Sequence, residues 1–131
     1  MTLIKRSLAA VALLVACLWL RGDSTAVLVV TQTFPDARAG NSIRNIGGRA
    51  LYWRINYYPD ASTLSCTILV DSSLNGNTWV LAGVITSQTC TSPGTFTTST
   101  AAVYNYVRMR VSGISASKQI TATLVGFEQT P

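Results

Sequence analysis

The sequence predicts an all-β fold, a single antiparallel β-sandwich of the jelly-roll or immunoglobulin-like kind. From Leu64 to Phe127, short segments of alternating apolar and polar residues follow one another without an interval of helical period. An Asn75-Gly76 pair separates two of these segments, and Asn-Gly is the strongest short-range signal for a hairpin. The length of 131 residues and the hydrophobic content of 48% suit one domain with its own core.

In the first half of the domain, β-branched residues and chain breakers mark the elements. Val27–Phe34 is rich in β-branched residues, which fit a pleated sheet, and is the first predicted strand. Pro35–Gly48 is rich in Gly, Asn and Asp and reads as a long polar connection, with a short edge strand near Ser42–Ile46. Ala50–Tyr58 alternates as the next strand, and Pro59 ends it.

In the second half, the Asn-Gly pair organises the chain. Ser65–Ser72 and Thr78–Thr86 are predicted to form a hairpin around it. Gln88–Gly94 contains Cys and Pro and is predicted to be a loop. The remaining predicted strands are Thr95–Thr98, Val103–Val111 and Lys118–Phe127.

Residues 1–26 have the pattern of a secretory signal. Lys5 and Arg6 give a basic start, Leu8–Leu20 is an apolar run, and small residues before position 27 provide a cleavage site. The apolar run is short for a membrane span. We therefore expect a β-sandwich domain over residues 27–131 that is secreted or displayed on a bacterial-type cell surface.

Two alternatives for this segment place the protein on a membrane. In one, the segment is retained as a hydrophobic anchor or as a helix used in assembly. In the other, Cys17 is lipidated, because Leu14–Cys17 resembles a bacterial lipobox, although the bulky Leu18 and Trp19 that follow are unusual for a mature lipoprotein. A membrane partner is expected only in these two cases.

The charge of the predicted domain disfavours nucleic acid as a partner. Removing residues 1–26 lowers Lys+Arg from 10 to 7 and Asp+Glu from 5 to 4, so the net charge falls from +5 to +3. A nucleic-acid-binding domain shows a dense Lys/Arg stripe, which is missing from this sequence. We expect no nucleic-acid partner.

The residues needed for catalysis or metal binding are scarce. The chain contains no His, the commonest general base and metal ligand, and its carboxylates lie far apart in the sequence. Asp71, Asn75 and Asn77 surround one turn and offer oxygens to calcium, but Asn residues at such a turn are explained by turn formation itself. The sequence predicts no catalytic residue, no metal centre and no cofactor.

Two cysteines remain in the predicted domain, Cys66 and Cys90. An even pair in an exported protein suggests a disulfide. With the hairpin turn at Asn75-Gly76, position 66 lies opposite the late eighties, and a slight bulge brings Cys90 alongside. The alternative is a pair of buried free thiols.

Outward-facing Tyr and Arg residues form the candidate ligand-binding surface. Side chains alternate along a strand, so residues between the inward apolar positions of Ala50–Tyr58 and Val103–Val111 point outward. Aromatic rings stack on sugars, and Arg binds hydroxyls or acidic groups, which predicts a glycan or another cell-surface partner. The alternative is cross-strand packing on a solvated face, at roughly 0.2–1 kcal/mol per pair. The candidate residues are Tyr52, Arg54, Tyr104, Tyr106, Arg108 and Arg110.

Two tryptophans have predicted structural positions. Trp53 lies on the inward face of its strand and is expected in the core. Trp79 follows the hairpin turn and is expected to plug the end of the sandwich.

Low charge and an apolar first strand predict self-association. Only 11% of the residues are charged, so little repulsion keeps copies apart. Val27–Val30 is apolar on both faces, and edge strands pair readily with other chains. We expect a homo-oligomer or polymer with a contact near Val27–Phe34, the alternative being that this strand pairs only within its own sandwich.

Three segments between Ile68 and Gly126, about half of the chain, resemble small β-sandwich domains of tailed-phage virion proteins and bacterial extracellular proteins. The segments are Leu-Val-Asp-Ser-Ser-Leu-Asn-Gly-Asn-Thr-Trp, Tyr-Val-Arg-Met-Arg-Val and Ile-Thr-Ala-Thr-Leu-Val-Gly. In those domains a Ser-x-Asp/Asn-Gly-x-x-Trp hairpin precedes a Tyr-x-x-Val-Arg-Val strand. The resemblance implies decoration, adhesion or spacer roles, but virion proteins normally lack an export signal.

These observations together predict a non-enzymatic extracellular structural or adhesive β-sandwich module, part of a surface assembly or filament. One alternative is a carbohydrate-binding domain that uses the Tyr/Arg face. The other is a phage virion decoration or tail-associated subunit, located in the virion if the protein is phage-encoded.

Overall fold

A computed structural model shows two antiparallel β-sheets packed face to face. It describes residues 25–61, 63–100, 103–115 and 118–131, so Cys17 and the predicted signal segment up to residue 24 lie outside the described residues. Within this part of the chain, no helix has the length and apolarity that a membrane crossing requires. The strands are β1 Ala26–Phe34, β2 Arg38–Ala39, β3 Ile43–Arg44, β4 Tyr52–Pro59, β5 Thr67–Ser73, β6 Val80–Thr89, β7 Gly94–Ser99, β8 Tyr106–Ser112 and β9 Ile120–Phe127.

The strand order identifies the sandwich as a jelly roll. Sheet A has the order β1-β9-β4-β7, and sheet B has the order β2-β8-β5-β6 with β3 also paired to β8. β2 and β3 follow each other along β8 and form one interrupted edge. Consecutive strands otherwise change sheet, except in the β5–β6 hairpin. Such winding belongs to the jelly roll, the first of the two predicted types.

Alternating apolar residues of both sheets form one core. Trp53 and Ile55 of β4 and Val107 and Met109 of β8 are all 0% exposed. The predicted inward faces of these two strands and the core position of Trp53 are therefore confirmed. Burial of each such side chain contributes roughly 1.5–3 kcal/mol, which makes this core the main source of stability.

The predicted strands are present, with ends shifted by a few residues. β6 continues to Thr89, which pairs with Thr67, so the predicted loop at Gln88–Gly94 begins too early. Within the predicted polar connection, the strand near Ser42–Ile46 is found as β3. The two-residue strand β2 was not predicted, because both of its residues are exposed and leave no alternating pattern.

The predicted disulfide between Cys66 and Cys90 is confirmed. Their Cα atoms are 4.9 Å apart, and the Cys90 N–H donates to the Cys66 carbonyl oxygen at 3.0 Å. Both cysteines are buried. The bond fixes the beginning of β5 to the end of β6, where the chain leaves for the other sheet.

Removal of this disulfide is expected to destabilise the domain. Replacing both Cys66 and Cys90 with Ala frees a loop of 24 residues in the unfolded chain. The expected loss in the free energy of unfolding is about 3 kcal/mol, measured by urea denaturation. Two free thiols in the intact mass of the native protein, or an unchanged urea midpoint in the variant, contradicts the prediction.

Candidate functional site

The outer face of sheet B contains a buried carboxylate. Asp71 of β5 lies opposite Arg108 of β8, and its side chain is 0% exposed. Asp71 Oδ2 accepts hydrogen bonds from Arg108 Nε at 3.0 Å and from Arg110 Nε at 2.8 Å. Arg110 Nη2 also donates to Oδ1 at 3.1 Å, so Arg110 binds the carboxylate with two donors. We call Asp71, Arg108 and Arg110 the carboxylate cluster.

A bulge in β6 supplies a further hydrogen bond to this carboxylate. The register between β5 and β6 shifts on both sides of Val70, and Ala82 has a φ of 55°, in the left-handed region. The Ala82 N–H donates to Asp71 Oδ1 at 3.0 Å. A Cβ at the next residue, Gly83, would lie 2.2 Å from Ser72 Oγ, so a larger residue there would have to displace that side chain.

The hydrogen bonds keep Asp71 ionised. Burial alone raises the pKa of Asp71, but hydrogen bonds from Arg110, from the Ala82 N–H and from Arg108 outweigh burial and hold this pKa below its ordinary value. A carboxylate with a low pKa and all of these donors is a poor general acid or base at neutral pH. The carboxylate cluster therefore acts as a structural unit that joins β5, β6 and β8.

Trp79 lies on the same outer face. The guanidinium carbon of Arg108 is 4.3 Å from the centre of the Trp79 ring, within the range of a cation–π contact. The prediction that Trp79 plugs the end of the sandwich is wrong, because this stacking holds the indole against an outward-facing arginine. Arg108 is thus in contact with both a carboxylate and an aromatic ring.

The hairpin turn uses its own polar side chains. Asn75 Oδ1 accepts hydrogen bonds from the N–H groups of Asn77 and Thr78, both at 2.8 Å. Ser73 Oγ accepts the Gly76 N–H at 2.8 Å. The side-chain oxygens of Asp71 are thus bound by arginines, and Asn75 Oδ1 is bound by the turn.

The candidate ligand-binding residues fall on two opposite surfaces. The two sheets are packed back to back, so their outer faces point away from each other. Tyr104 packs against the core, and its hydroxyl donates to the Gly83 carbonyl oxygen at 3.2 Å, so its predicted outward position is wrong. The outer face of sheet B has Tyr106, Arg108 and Arg110, and that of sheet A has Tyr52 and Arg54.

The outer face of sheet A is rich in hydroxyl groups. Thr31 of β1 hydrogen-bonds Thr123 of β9 with 2.9 Å between their Oγ1 atoms, and Thr33 bonds Thr121 at 3.0 Å. Such cross-strand pairs stabilise the β1–β9 contact. The sequence contains this signal as a Thr-x-Thr pattern in both strands, but the strand pairing that joins them is not visible in the sequence.

Arg54 is near the middle of this face and has no ion-pair partner among the described residues. Its guanidinium carbon is 5.1 Å from the centre of the Phe127 ring, and its buried Nε has no hydrogen-bond partner in the described chain. Tyr58, on the same strand, is 57% exposed. Thr95 Oγ1 donates to Asn56 Oδ1 at 2.8 Å beside it. This region combines a cation, an exposed ring and hydroxyl groups.

The other side-chain carboxylates of the described residues are also engaged. No two of these carboxylates are hydrogen-bonded to each other. The described residues also contain no group of three or more His, Cys, Asp or Glu placed to hold a metal ion. Asp36 pairs with Arg38, Glu128 pairs with Arg49 at 2.8 Å, and Asp60 accepts the Gln119 N–H at 3.1 Å.

An apolar groove of about 460 Å³ lies beside the hairpin turn. Leu74, Val80 and Val103 line it, together with Tyr104 and polar residues of the turn. These three aliphatic side chains are more than half exposed. The lining has no carboxylate or amine, so the groove provides a contact surface and no acid–base chemistry.

β1 forms an open edge of sheet A. β9 is its strand partner over Ala26–Phe34, and no other described strand lies on its second side. β1 contains neither a charged residue nor Pro, the usual devices that protect a sheet edge, and Val29 is 63% exposed. The first strand therefore pairs within its own sandwich, and its second side has no partner among the described strands.

No protein-family model matches the sequence, and the comparison with curated proteins gives no match. Among solved structures, the fold is similar to the SPBc2 prophage-derived protein YomS, with a TM-score of 0.49 and 12% identity over 78% of this chain and 97% of that chain. It is also similar to a structure of Bacillus endospore appendages, described as disulfide-linked pili, with a TM-score of 0.42 and 14% identity.

That endospore comparison covers 82% of this chain and 93% of the other. The capsid of Ralstonia phage GP4 is a further match, with a TM-score of 0.39 and 13% identity over 84% of this chain and 87% of that chain. Phage proteins and a bacterial appendage protein are thus among the structures with a similar overall shape.

The carboxylate cluster generates a stability prediction. Asp71→Asn keeps the shape of the side chain but leaves Arg108 and Arg110 without their carboxylate. The expected loss in the free energy of unfolding is about 3 kcal/mol, since removing one partner of a buried pair leaves uncompensated charge. Asp36→Asn is the matched control in an exposed pair and should change the urea midpoint little.

The same variant tests the pH dependence. The pKa of Asp71 in the folded protein is below its unfolded value of roughly 3.9, so its contribution is present above that value. The contribution is lost as the pH falls through the folded pKa. The stability difference between wild type and Asp71→Asn should therefore shrink below about pH 4, and a difference that stays constant on acidification contradicts this assignment.

Proposed function

We propose that this chain is a non-enzymatic extracellular structural module that assembles with copies of itself. The observation that carries this proposal is the unprotected edge of β1, nine residues long and free of charge and Pro. An edge strand of this kind presents unpaired backbone N–H and C=O groups that another strand can bind.

The disulfide supports an extracellular location. Structural disulfides persist in oxidising compartments, and the Cys66–Cys90 bond is buried within the fold. This location agrees with the secretory pattern of residues 1–26. The bond also stabilises the domain by constraining its unfolded chain.

The engaged carboxylates support a structural role. Asp71 is held by two arginines and a backbone N–H, which stabilises its charge and removes it from acid–base chemistry. Glu128 and Asp36 are each paired with an arginine on the surface. These groups contribute to the fold and to the solubility of the domain.

The assembly is tested with the full chain recovered from an export-competent host. We expect the weight-average mass from static light scattering to rise with concentration, and electron microscopy to show ordered multimers. A protein that stays monomeric at every concentration contradicts the proposal. Terminase and portal genes beside the coding sequence would indicate a virion location for the same assembly.

A second candidate function is glycan binding on the outer face of sheet A. The observation that favours it is Arg54, whose buried Nε lacks a partner in the described chain and which shares the outer face of β4 with exposed Tyr58. Arg54 suits an acidic or hydroxyl-rich sugar, and the Tyr58 ring offers a stacking surface. The Arg residues of sheet B are less suited, because Asp71 already binds them.

A glycan array separates this candidate from a purely structural role. If the face of sheet A binds sugars, Arg54→Ala and Tyr58→Ala should each abolish the array signal while the protein still unfolds cooperatively in urea. Tyr106→Ala, on the opposite surface, is the matched control and should keep the signal. Loss of signal in the control, or no signal in the wild type, counts against glycan binding.

A further inference from the structure

We infer that copies of this chain join head to tail, with β1 of one copy added to β7 of the next, so that sheet A continues from molecule to molecule. The inference rests on the proposed self-assembly and names the second surface that it uses. It follows from the edges, the strand directions and the residue rows of sheet A.

The two edges of sheet A lack the protection that the edges of sheet B have. In sheet B, one edge consists of two-residue strands, β2 and β3, and the other carries the β6 bulge at Ala82. Short edge strands and bulges both hinder pairing with another chain. In sheet A, β1 keeps one register with β9 from Leu28 to Phe34 after a shift at its start, and neither β1 nor β7 has a charged residue. Among the described residues, β4 is the strand partner of β7.

The strand directions of sheet A fit this contact. Each pair in the order β1-β9-β4-β7 is antiparallel. With four strands, the two edge strands therefore run in opposite directions. A second copy in the same orientation, placed beside the first, brings its β1 next to β7 of the first as another antiparallel pair.

The residue rows of sheet A also match at the two edges. One inward row consists of Val30, Leu124, Ile55 and Phe96, in the order of the strands. Leu124 and Ile55 in the middle are 0% exposed, whereas Val30 and Phe96 at the ends are only partly buried. Continuation of the sheet in register places Phe96 of one copy against Val30 of the next and buries both.

The neighbouring outward row continues in the same way. It consists of Thr31, Thr123, Asn56 and Thr95, and its members already hydrogen-bond in pairs. In the joined sheet, Thr95 of one copy lies beside Thr31 of the next, which extends the hydroxyl row. The same register therefore satisfies the apolar side and the polar side of the contact.

A contact between two different edges does not close on itself, so it propagates. Heterologous contacts of this kind give open filaments when the rotation between copies does not close a ring. Four strands spaced by roughly 4.8 Å give a rise of about 19 Å per copy, and sheet twist makes the filament helical.

The test blocks each edge separately. An inward Lys at a sheet edge extends past the open edge in a free molecule, but pairing would bury its charge. Val30→Lys blocks β1 and leaves β7 intact, and Phe96→Lys blocks β7 and leaves β1 intact. Gln32→Lys and Thr98→Lys repeat the two blocks at half-buried positions that are less demanding for the core. Leu64→Lys, at a residue 87% exposed, is the control.

We expect wild type and Leu64→Lys to assemble, and each blocked variant alone to remain a folded monomer by light scattering and circular dichroism. An equimolar mixture of a β1-blocked and a β7-blocked variant should form a dimer of twice the monomer mass and no larger species. Dimer formation in the mixture also shows that both variants have folded, since each contributes one intact edge.

Other outcomes overturn the inference. A β7-blocked variant that dimerises alone indicates β1–β1 pairing, and a β1-blocked variant that dimerises alone indicates β7–β7 pairing. Folded variants that assemble like wild type, or that form no dimer when mixed, place the contact elsewhere and leave the proposed self-assembly standing. A monomeric wild type overturns both.

Discussion

The ion pair between Asp71 and its two arginines is the interaction on which the outer face of sheet B depends. A charge buried on a sheet face is tolerated only when its partners satisfy it, and here they come from β8 and from the β6 bulge. The same contacts fix Arg108 beneath Trp79 and thereby position the chain as it leaves the hairpin turn. One carboxylate on β5 thus links this strand to both of its neighbours, β6 and β8.

The features that depend on local residue patterns could be predicted from the sequence. Alternation identified the strands and placed Trp53 in the core, and the distance of Cys66 and Cys90 from the Asn-Gly turn gave their pairing. The carboxylate cluster was missed, because a lone Asp in a β-branched segment signals a buried charge only if its partners are known. Those partners lie 37 and 39 residues away, on a strand whose neighbour the sequence does not specify.

The candidate ligand surface was predicted only in part, again because the sequence does not show which strands are neighbours. Alternation shows which side of a strand a residue faces, but not to which sheet the strand belongs. Strands β4 and β8 have similar Tyr/Arg patterns and lie in different sheets, so residues that look equivalent in the sequence are on opposite surfaces. In sheet B, Asp71 binds both arginines, and short strands and a bulge protect the edges. In sheet A, Arg54 has no ion-pair partner among the described residues, and neither edge has such protection.

The pairing of β1 with β9 also constrains how the chain reaches this structure. Thr31 and its partner Thr123 are 92 residues apart, so β1 can pair only when β9 is present. Folds dominated by such distant contacts form slowly, and an unpaired apolar strand is prone to aggregate meanwhile. The hairpin of β5 and β6, closed locally and locked by oxidation, is the natural place for folding to begin. We expect β1 to dock after this hairpin has formed, so its apolar residues stay exposed for longer than those of the hairpin.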